Sequence, residues 1–288
     1  MSVSLQPVSF VARDGRRLAG LLLPAATPRA ALVINGATGY LRDFYRGFAG
    51  YCAQRGYHTL LYDYRGMGAS ALQPPECEPV RMSEWGRLDM PAALGWLAAQ
   101  FAPLPLFTLG HSVGGQLLGA MPNAQQARAH VLIGASTGYW RRQQLLFRAV
   151  SLTFWKLYGP LMLRLQGCVP RGLLWRGASL PPQVFLQWRR WCLTAASFGP
   201  QLDADFKDAH YAEVRGPLLS WGFTDDPIAT PAAVAALLRS YSGAAIEERW
   251  TAPADVGVRR LGHHGFFLEQ HRDTLWSQAL DWLDGQRA

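Results

Sequence analysis

Three places in this 288-residue chain hold side chains that acyl-transfer chemistry needs. In "LGHSVGGQ", Leu109 to Gln116, Ser112 stands between glycines where a short apolar run meets a helix-like one. A serine on a tight strand-to-helix turn has its hydroxyl pushed clear of the backbone, and small neighbours let the chain turn that sharply. A serine hydroxyl is a weak nucleophile on its own. It needs an imidazole to take its proton and a carboxylate to hold that imidazole in the useful tautomer. Downstream, "FTDDPIATP" offers Asp225 and Asp226, and "HHGFFLEQ" offers His263 and His264, so one residue of each doublet is expected to serve. Any one of these residues alone reads as a turn former or an ordinary histidine. The order Ser, Asp, His on successive late loops is what carries the reading.

The elements that must position them follow from periodicity. "VSFVARDGRRLAGLLLP" alternates around Asp14-Gly15, a pair suited to a hairpin, which predicts two antiparallel strands. "AALVING", "HTLLYDY", "LPLFTLG", "AHVLIGA" and "GPLLSWG" are continuous apolar runs, as strands covered on both faces must be. Helices are expected between them, from about Arg42 to Gln54, Ser83 to Gln100, Val113 to Met121 and Pro231 to Tyr241. A last strand near "AIEERWT" and a closing helix from about Glu269 to Trp282 complete the pattern. This predicts an α/β fold with a mostly parallel central sheet flanked by helices. In such a sheet the chemistry sits on loops beyond the carboxyl ends of the strands, where Ser112, the Asp doublet and the His doublet all fall.

After Ser136 the strand rhythm stops, and helical periodicity rich in Trp, Leu and Arg takes over. The expected organisation is a core domain of residues 1–136 and 212–288 with a helical cap, or lid, inserted at 137–211. Trp140, Phe147, Phe154, Trp155, Tyr158, Trp175, Trp188 and Trp191 give that insertion its aromatic mass, either as a substrate pocket or as core between cap and main domain.

On these residues the chain resembles the α/β-hydrolase superfamily, specifically serine hydrolases of the esterase, lipase and monoacylglycerol-lipase-like kind and poorly characterised bacterial predicted hydrolases. "LLYDYRGMGAS" is similar to that family's Asp-x-Arg-Gly-x-Gly-x-Ser segment, and "GHHGFFLE" to its Gly-His segment before a hydrophobic stretch. The resemblance implies Ser112 as nucleophile, His263 as base and Asp225, the first of the doublet, as acid. Asp226 and His264 remain the alternates, with His264 at the pocket mouth. It also implies an oxyanion donor at the Val113 N–H. The second donor belongs to "INGATGY", where Asn35-Gly36 stands in place of the His-Gly of many relatives; that selects Ala37, with Thr38 as the other choice. Asp63, Arg65 and Gly68 are expected to brace loops. The implied reaction is hydrolysis of a carboxylic ester through an acyl-enzyme, with no metal or organic cofactor. An acyl-thioesterase, an acyltransferase or a peptidase of the same fold, and a non-catalytic ligand-binding or membrane-surface protein, are the other readings.

Composition narrows the partners. A chain with 49% hydrophobic residues is long enough for one large core. Cys52, Cys77, Cys168 and Cys192 form no Cys-x-x-Cys pair, which argues against zinc or a disulfide framework and for buried thiols. The start "MSVSLQPVSF" lacks the basic and apolar regions of a secretory signal, so the expected location is cytoplasmic. Net charge is +8, and no Asp or Glu occurs from Met90 to Leu202 while arginines are frequent there. Such a region either attracts anionic substrates or a membrane surface, giving a weak contact through the basic cap, or is simply a solvated face. Its basic residues follow no nucleic-acid-binding motif, and Arg148, Lys156 and Arg164 interrupt its longest apolar stretch below the ~20 residues a bilayer span needs. The expected partner is a small-molecule ester; the oligomeric state is not encoded in any motif.

Overall fold

The computed structural model describes residues 4–195, 206 and 209–287. Eight strands form one sheet in the order β1-β2-β4-β3-β5-β6-β7-β8. β1 (Gln6–Val11) and β2 (Arg17–Leu23) make the expected hairpin, with Gly15 at a φ of 84° in the turn. β2 pairs antiparallel with β4 (Tyr57–Tyr62), and every later pairing is parallel. The central strands β3 (Ala30–Asn35), β4, β5 (Leu106–His111) and β6 (Ala129–Ile133) are buried at every residue, which explains their unbroken apolar sequence. β7 (Pro217–Phe223) follows them, and β8 (Ala245–Thr251) closes the sheet at an edge and is largely exposed.

Alternation along β3 divides the core in two. Ala31 and Val33 face the cluster that holds Ala93, Leu94 and Leu97 of the helix Met90–Phe101 and the insertion's Phe154, Trp155 and Phe185. Leu32 and Ile34 face the opposite cluster, made with Phe48 and Cys52 of the helix Arg46–Gln54 and with Trp276, Leu280 and Leu283 near the end of the chain. Register then aligns the strand ends that matter: Asn35 of β3 lies beside Gly110 of β5, and Ile133 of β6 beside His111.

Several helices are shorter than the pattern predicts, whereas the one expected from about Ser83 to Gln100 is present as an unbroken helical run. α1 is Arg46–Gln54, preceded by a 3-10 turn at Arg42–Tyr45. α2 (Met82–Glu84) runs through a π-helical turn into α3 (Met90–Phe101). α4 is only Val113–Gln116, not the expected Val113 to Met121, and the reason is a hydroxyl in the helix ladder. The Gly119 N–H donates to Tyr241 Oη (3.3 Å), which itself donates to the Gly115 carbonyl (2.9 Å) that Gly119 would otherwise reach. Tyr211 Oη takes the next carbonyl, that of Gln116 (2.9 Å). α8 is Pro231–Leu238, and the closing segment begins as 3-10 and π turns before α9 (Ser277–Asp284).

Between β6 and β7 the chain forms α5 (Leu145–Thr153), a π-helical turn (Phe154–Tyr158), α6 (Gly159–Gln166) and α7 (Pro182–Leu193). A Cβ on Gly159 would come within 2.1 Å of the Phe185 ring, so glycine is what lets α6 and α7 approach. Of the expected insertion 137–211, residues 196–205, 207 and 208 lie outside the described residues. All four cysteines are free; Cys52, Cys168 and Cys192 are buried, whereas Cys77 is exposed, contrary to the expectation for it. No helix among the described residues is long and apolar enough to cross a membrane.

The bracing expected of the "YDYRGMG" loop is seen in detail. Asp63 accepts the N–H groups of Arg42 (2.9 Å) and Ala69 (3.0 Å), and a Cβ on Gly68 would meet the Asp63 carboxylate at 2.6 Å. Arg65 Nε donates to Asp89 Oδ1 (2.7 Å) and its Nη1 to Asp14 Oδ2 (2.7 Å), which ties this loop to the hairpin and to α3. Both Arg65 and Asp89 are buried. Replacing Arg65 by Ala strands the Asp89 carboxylate, and the expected loss is about 3 to 5 kcal/mol of folding stability. Urea denaturation of Arg65→Ala and Arg65→Lys checks this. Lysine should recover only part of the loss, because it cannot bridge two carboxylates with a planar fork.

Candidate active site

Ser112 is the one non-glycine residue with positive φ among the described residues, at φ 52° and ψ −111°. That conformation is strained by roughly 1 to 3 kcal/mol and persists only where surroundings over-determine it. Here they do. A Cβ on Gly110 would lie 2.4 Å from the Gly115 nitrogen, and one on Gly114 would lie 2.2 Å from the Asn35 carbonyl oxygen. The glycines of the motif are therefore dictated by backbone packed on backbone, and the turn lifts Ser112 out of the end of β5.

The Ser112 hydroxyl reaches His263 Nε2 at 2.9 Å. The other ring nitrogen of His263, Nδ1, lies 2.6 Å from Asp226 Oδ2. Asp225 is thus not the carboxylate on the histidine, and the expectation for it is corrected. Its two oxygens accept the main-chain N–H groups of Leu261 and Gly262, each at 2.9 Å. Adjacent residues in a turn point their side chains apart, so one carboxylate of the doublet holds the histidine's loop while the other meets its ring. Gly262, at a φ of 58°, makes the left-handed turn that delivers His263.

Asp226 is buried, and its other oxygen, Oδ1, accepts the N–H groups of Ile228 (2.8 Å) and Ala229 (3.0 Å). Burial pushes its pKa up. His263 beside it and the two N–H groups push it down by more, leaving the carboxyl below its ordinary value. A hydroxyl, an imidazole and an ionised carboxylate in line are the set that can withdraw the hydroxyl proton and carry the resulting charge.

His264 turns away from this line. Its ring packs on Tyr40 at 4.4 Å, its Nδ1 is buried without a hydrogen-bond partner, and burial together with His263 pushes its pKa down to about 3. It is neutral at ordinary pH and lines the cavity beside Ser112.

Two groups not singled out from sequence complete the support. His111 is fully buried; its Nε2–H donates to the His263 carbonyl (3.0 Å), which leaves its Nδ1 to accept from Tyr45 Oη (3.0 Å). Burial, then the neighbouring His264 and His263, hold His111 well below the usual histidine pKa, so this single tautomer persists. Tyr45 Oη in turn accepts the N–H of Ala37 (2.7 Å). The Ala37 N–H is therefore occupied, which corrects its expected place as an oxyanion donor. The N–H groups of Val113 and Thr38 have no acceptor among the described residues, nor does the buried Thr38 hydroxyl have a partner. His111 stands inside the elbow motif, where its neighbour Ser112 hides it. Tyr45 sits in a 3-10 turn that periodicity does not mark.

Ser112, Val113, Thr38, His263 and His264 open onto one cavity of about 290 Å³. The insertion supplies much of its wall through Phe147, Phe154, Trp155, Trp175 and Trp188. Trp191, by contrast, is wholly buried against Phe206 and serves as core. Both readings of the aromatic residues thus hold, and Phe154 and Trp155 are at once core and cavity wall. Arg176 is the charged side chain at the wall, and among the described residues the wall includes no Asp or Glu.

The Hydrolase_4 family, described as serine aminopeptidase S33, matches residues 26–186, more than half of the chain. The chain belongs to this family of α/β hydrolases. No curated protein matches it in sequence. Among solved structures, this hydrolase is similar to a soluble variant of monoglyceride lipase from Saccharomyces cerevisiae, in complex with a substrate analog, at a TM-score of 0.66 and 14% identity. The similarity covers 100% of this chain and 96% of that one. A thermostable carboxyl esterase from Bacillus coagulans, in complex with glycerol, matches over 100% of both chains at a TM-score of 0.65 and 14% identity. The Pyrococcus furiosus esterase Pf2001 matches at a TM-score of 0.63 and 11% identity, over 99% of this chain and 92% of its own. At such identities the likeness is one of fold.

Proposed function

We propose that this hydrolase cleaves a carboxylic ester with an apolar acyl part, using Ser112, His263 and Asp226 as its catalytic triad. The observation that carries the reading is the unbroken line from Ser112 Oγ to His263 Nε2 and from His263 Nδ1 to Asp226 Oδ2. His263 takes the Ser112 proton as the hydroxyl attacks the carbonyl carbon. Asp226 stabilises the imidazolium, which then protonates the leaving alcohol. Water, activated by the same histidine, attacks the acyl-enzyme and releases the acid. The N–H groups of Val113 and Thr38 are the proposed oxyanion donors, since neither is engaged by another described residue.

The chemistry of the wall favours an ester over an N-terminal peptide. An aminopeptidase must receive an α-ammonium group, and among the described residues the wall offers that cation no carboxylate to pair with, while Arg176 repels it. The fold shared with esterases and a monoglyceride lipase supports the same choice. The segment 137–211 acts in this reading as the cap that shapes the acyl side of the cavity.

The deciding experiment is labelling by a fluorophosphonate probe read by mass spectrometry, alongside turnover of water-soluble p-nitrophenyl esters. The expected result is a single adduct on Ser112, absent from Ser112→Ala, with turnover of the esters and none of aminoacyl p-nitroanilides. A folded protein that takes no label and turns over no ester would remove the proposal.

A further inference from the structure

We propose that the outer face of the α5 to α6 helix docks on a bilayer surface rich in anionic lipid. Eight of the twelve large hydrophobic side chains exposed among the described residues lie between Leu145 and Leu186. Five of these, Leu146, Val150, Leu157, Leu161 and Leu165, recur at steps of four, seven, four and four along the continuous helical run from Leu145 to Gln166. That spacing keeps them on one side of the run, about 33 Å long at 1.5 Å per residue. The opposite side is buried through Ser151, Phe154, Trp155 and Gly159. The run is therefore apolar twice, once toward the core and once toward solvent. Leu146 is 89% exposed and Leu157 64%, and Leu173, 79% exposed, lies beyond the end of the run. A contiguous exposed apolar surface of this kind marks an interaction site.

Charge selects the occupant. Lys156 and Arg164 on the run and Arg171 beyond it are exposed and have no acidic partner among the described residues. No Asp or Glu occurs between Met90 and Leu202. Leucines on one face with lysine and arginine interleaved are the pattern of a helix lying in a lipid interface, its apolar side chains below the headgroups and its cations among the phosphates. A second copy of this chain would set like charges against each other on the same face.

The surface also joins the site. Val150 stands on the exposed stripe and lines the Ser112 cavity, as does its neighbour Phe147 one turn earlier. Docking by this face places the cavity against the lipid, from which an apolar substrate can enter without crossing water.

The test uses the full chain carrying Ser112→Ala, so that no lipid is turned over, in co-sedimentation with vesicles of phosphatidylcholine alone or mixed with phosphatidylglycerol. The expected result is binding at least tenfold tighter to the anionic vesicles. Replacing Leu146, Leu157 and Leu165 by Ser should weaken that binding about tenfold or more, and Lys156→Gln with Arg164→Gln should do likewise and flatten its salt dependence. With Ser112 restored, the leucine variant should hydrolyse a water-soluble ester at the parent rate. Equal binding to both vesicle types, or undiminished binding by the leucine variant, overturns the proposal. So does a dimer in lipid-free sedimentation that the leucine variant dissolves. Because binding is read without turnover, none of these outcomes bears on whether Ser112 cleaves esters.

Discussion

Ser112→Ala and His263→Ala are each expected to lower kcat for a p-nitrophenyl ester by roughly 10⁵ to 10⁶, and the double variant to be no slower than either single one by more than about threefold. Nucleophile and base act as a unit. Once either is gone, the other has no proton to move, so its removal costs little more. The residual rate should come from the Val113 and Thr38 N–H groups and from binding in the aromatic cavity, which neither substitution touches. KM should change little, because the hydroxyl and imidazole contribute to the transition state rather than to holding the acyl chain. The stability of Ser112→Ala should change by no more than about 1 kcal/mol, since φ at position 112 is fixed by the Gly110 and Gly114 backbone contacts whatever the side chain. Additive losses in the double variant would show that Ser112 and His263 act separately, against the 2.9 Å contact between them.

What the sequence made legible follows from which physical signals are local. The sheet was legible because a strand covered on both faces must be apolar at every position, as β3 to β6 are. The elbow was legible because its glycines answer to steric demands within a few residues of Ser112. The extent of α4 was not, because the hydroxyls that interrupt it belong to Tyr211 and Tyr241, about a hundred residues away. A like distance hides the role of His111, whose partner is a carbonyl more than 150 positions on, whereas the fate of the Ala37 N–H depends on a tyrosine only 8 positions on, in a 3-10 turn that periodicity does not mark. Spacing located the Asp doublet, but which member meets His263 depends on where the loop at Leu261 and Gly262 lies in space. The exposed face of the α5 to α6 run was partly legible: absence of acids could be counted, whereas which leucines face solvent requires the packing of Phe154 and Trp155 against the core.

The doublet gives the sharpest test of the geometry. Asp226→Asn is expected to lower kcat by about 10⁴ with the fold intact, because an amide of the same shape no longer stabilises the imidazolium and can favour the wrong tautomer of His263. Asp225→Asn should lower it by tenfold or less, since one amide oxygen still accepts from Leu261 or Gly262 and the ring of His263 keeps its carboxylate. Stability against pH gives a further test of Asp226. The Asp226 carboxyl is held below its ordinary value in the folded protein, so its ionised form contributes stability above the unfolded value of about 3.9, and this contribution is lost as pH falls through the lower folded value. Asp226→Asn should therefore remove part of the pH dependence of stability on the acid side, where the parent protein loses it. The rates of both variants and the acid denaturation curve of Asp226→Asn check this together. A larger kcat loss in Asp225→Asn than in Asp226→Asn would return the acid's role to the first residue of the doublet and require the two loops to rearrange when substrate binds.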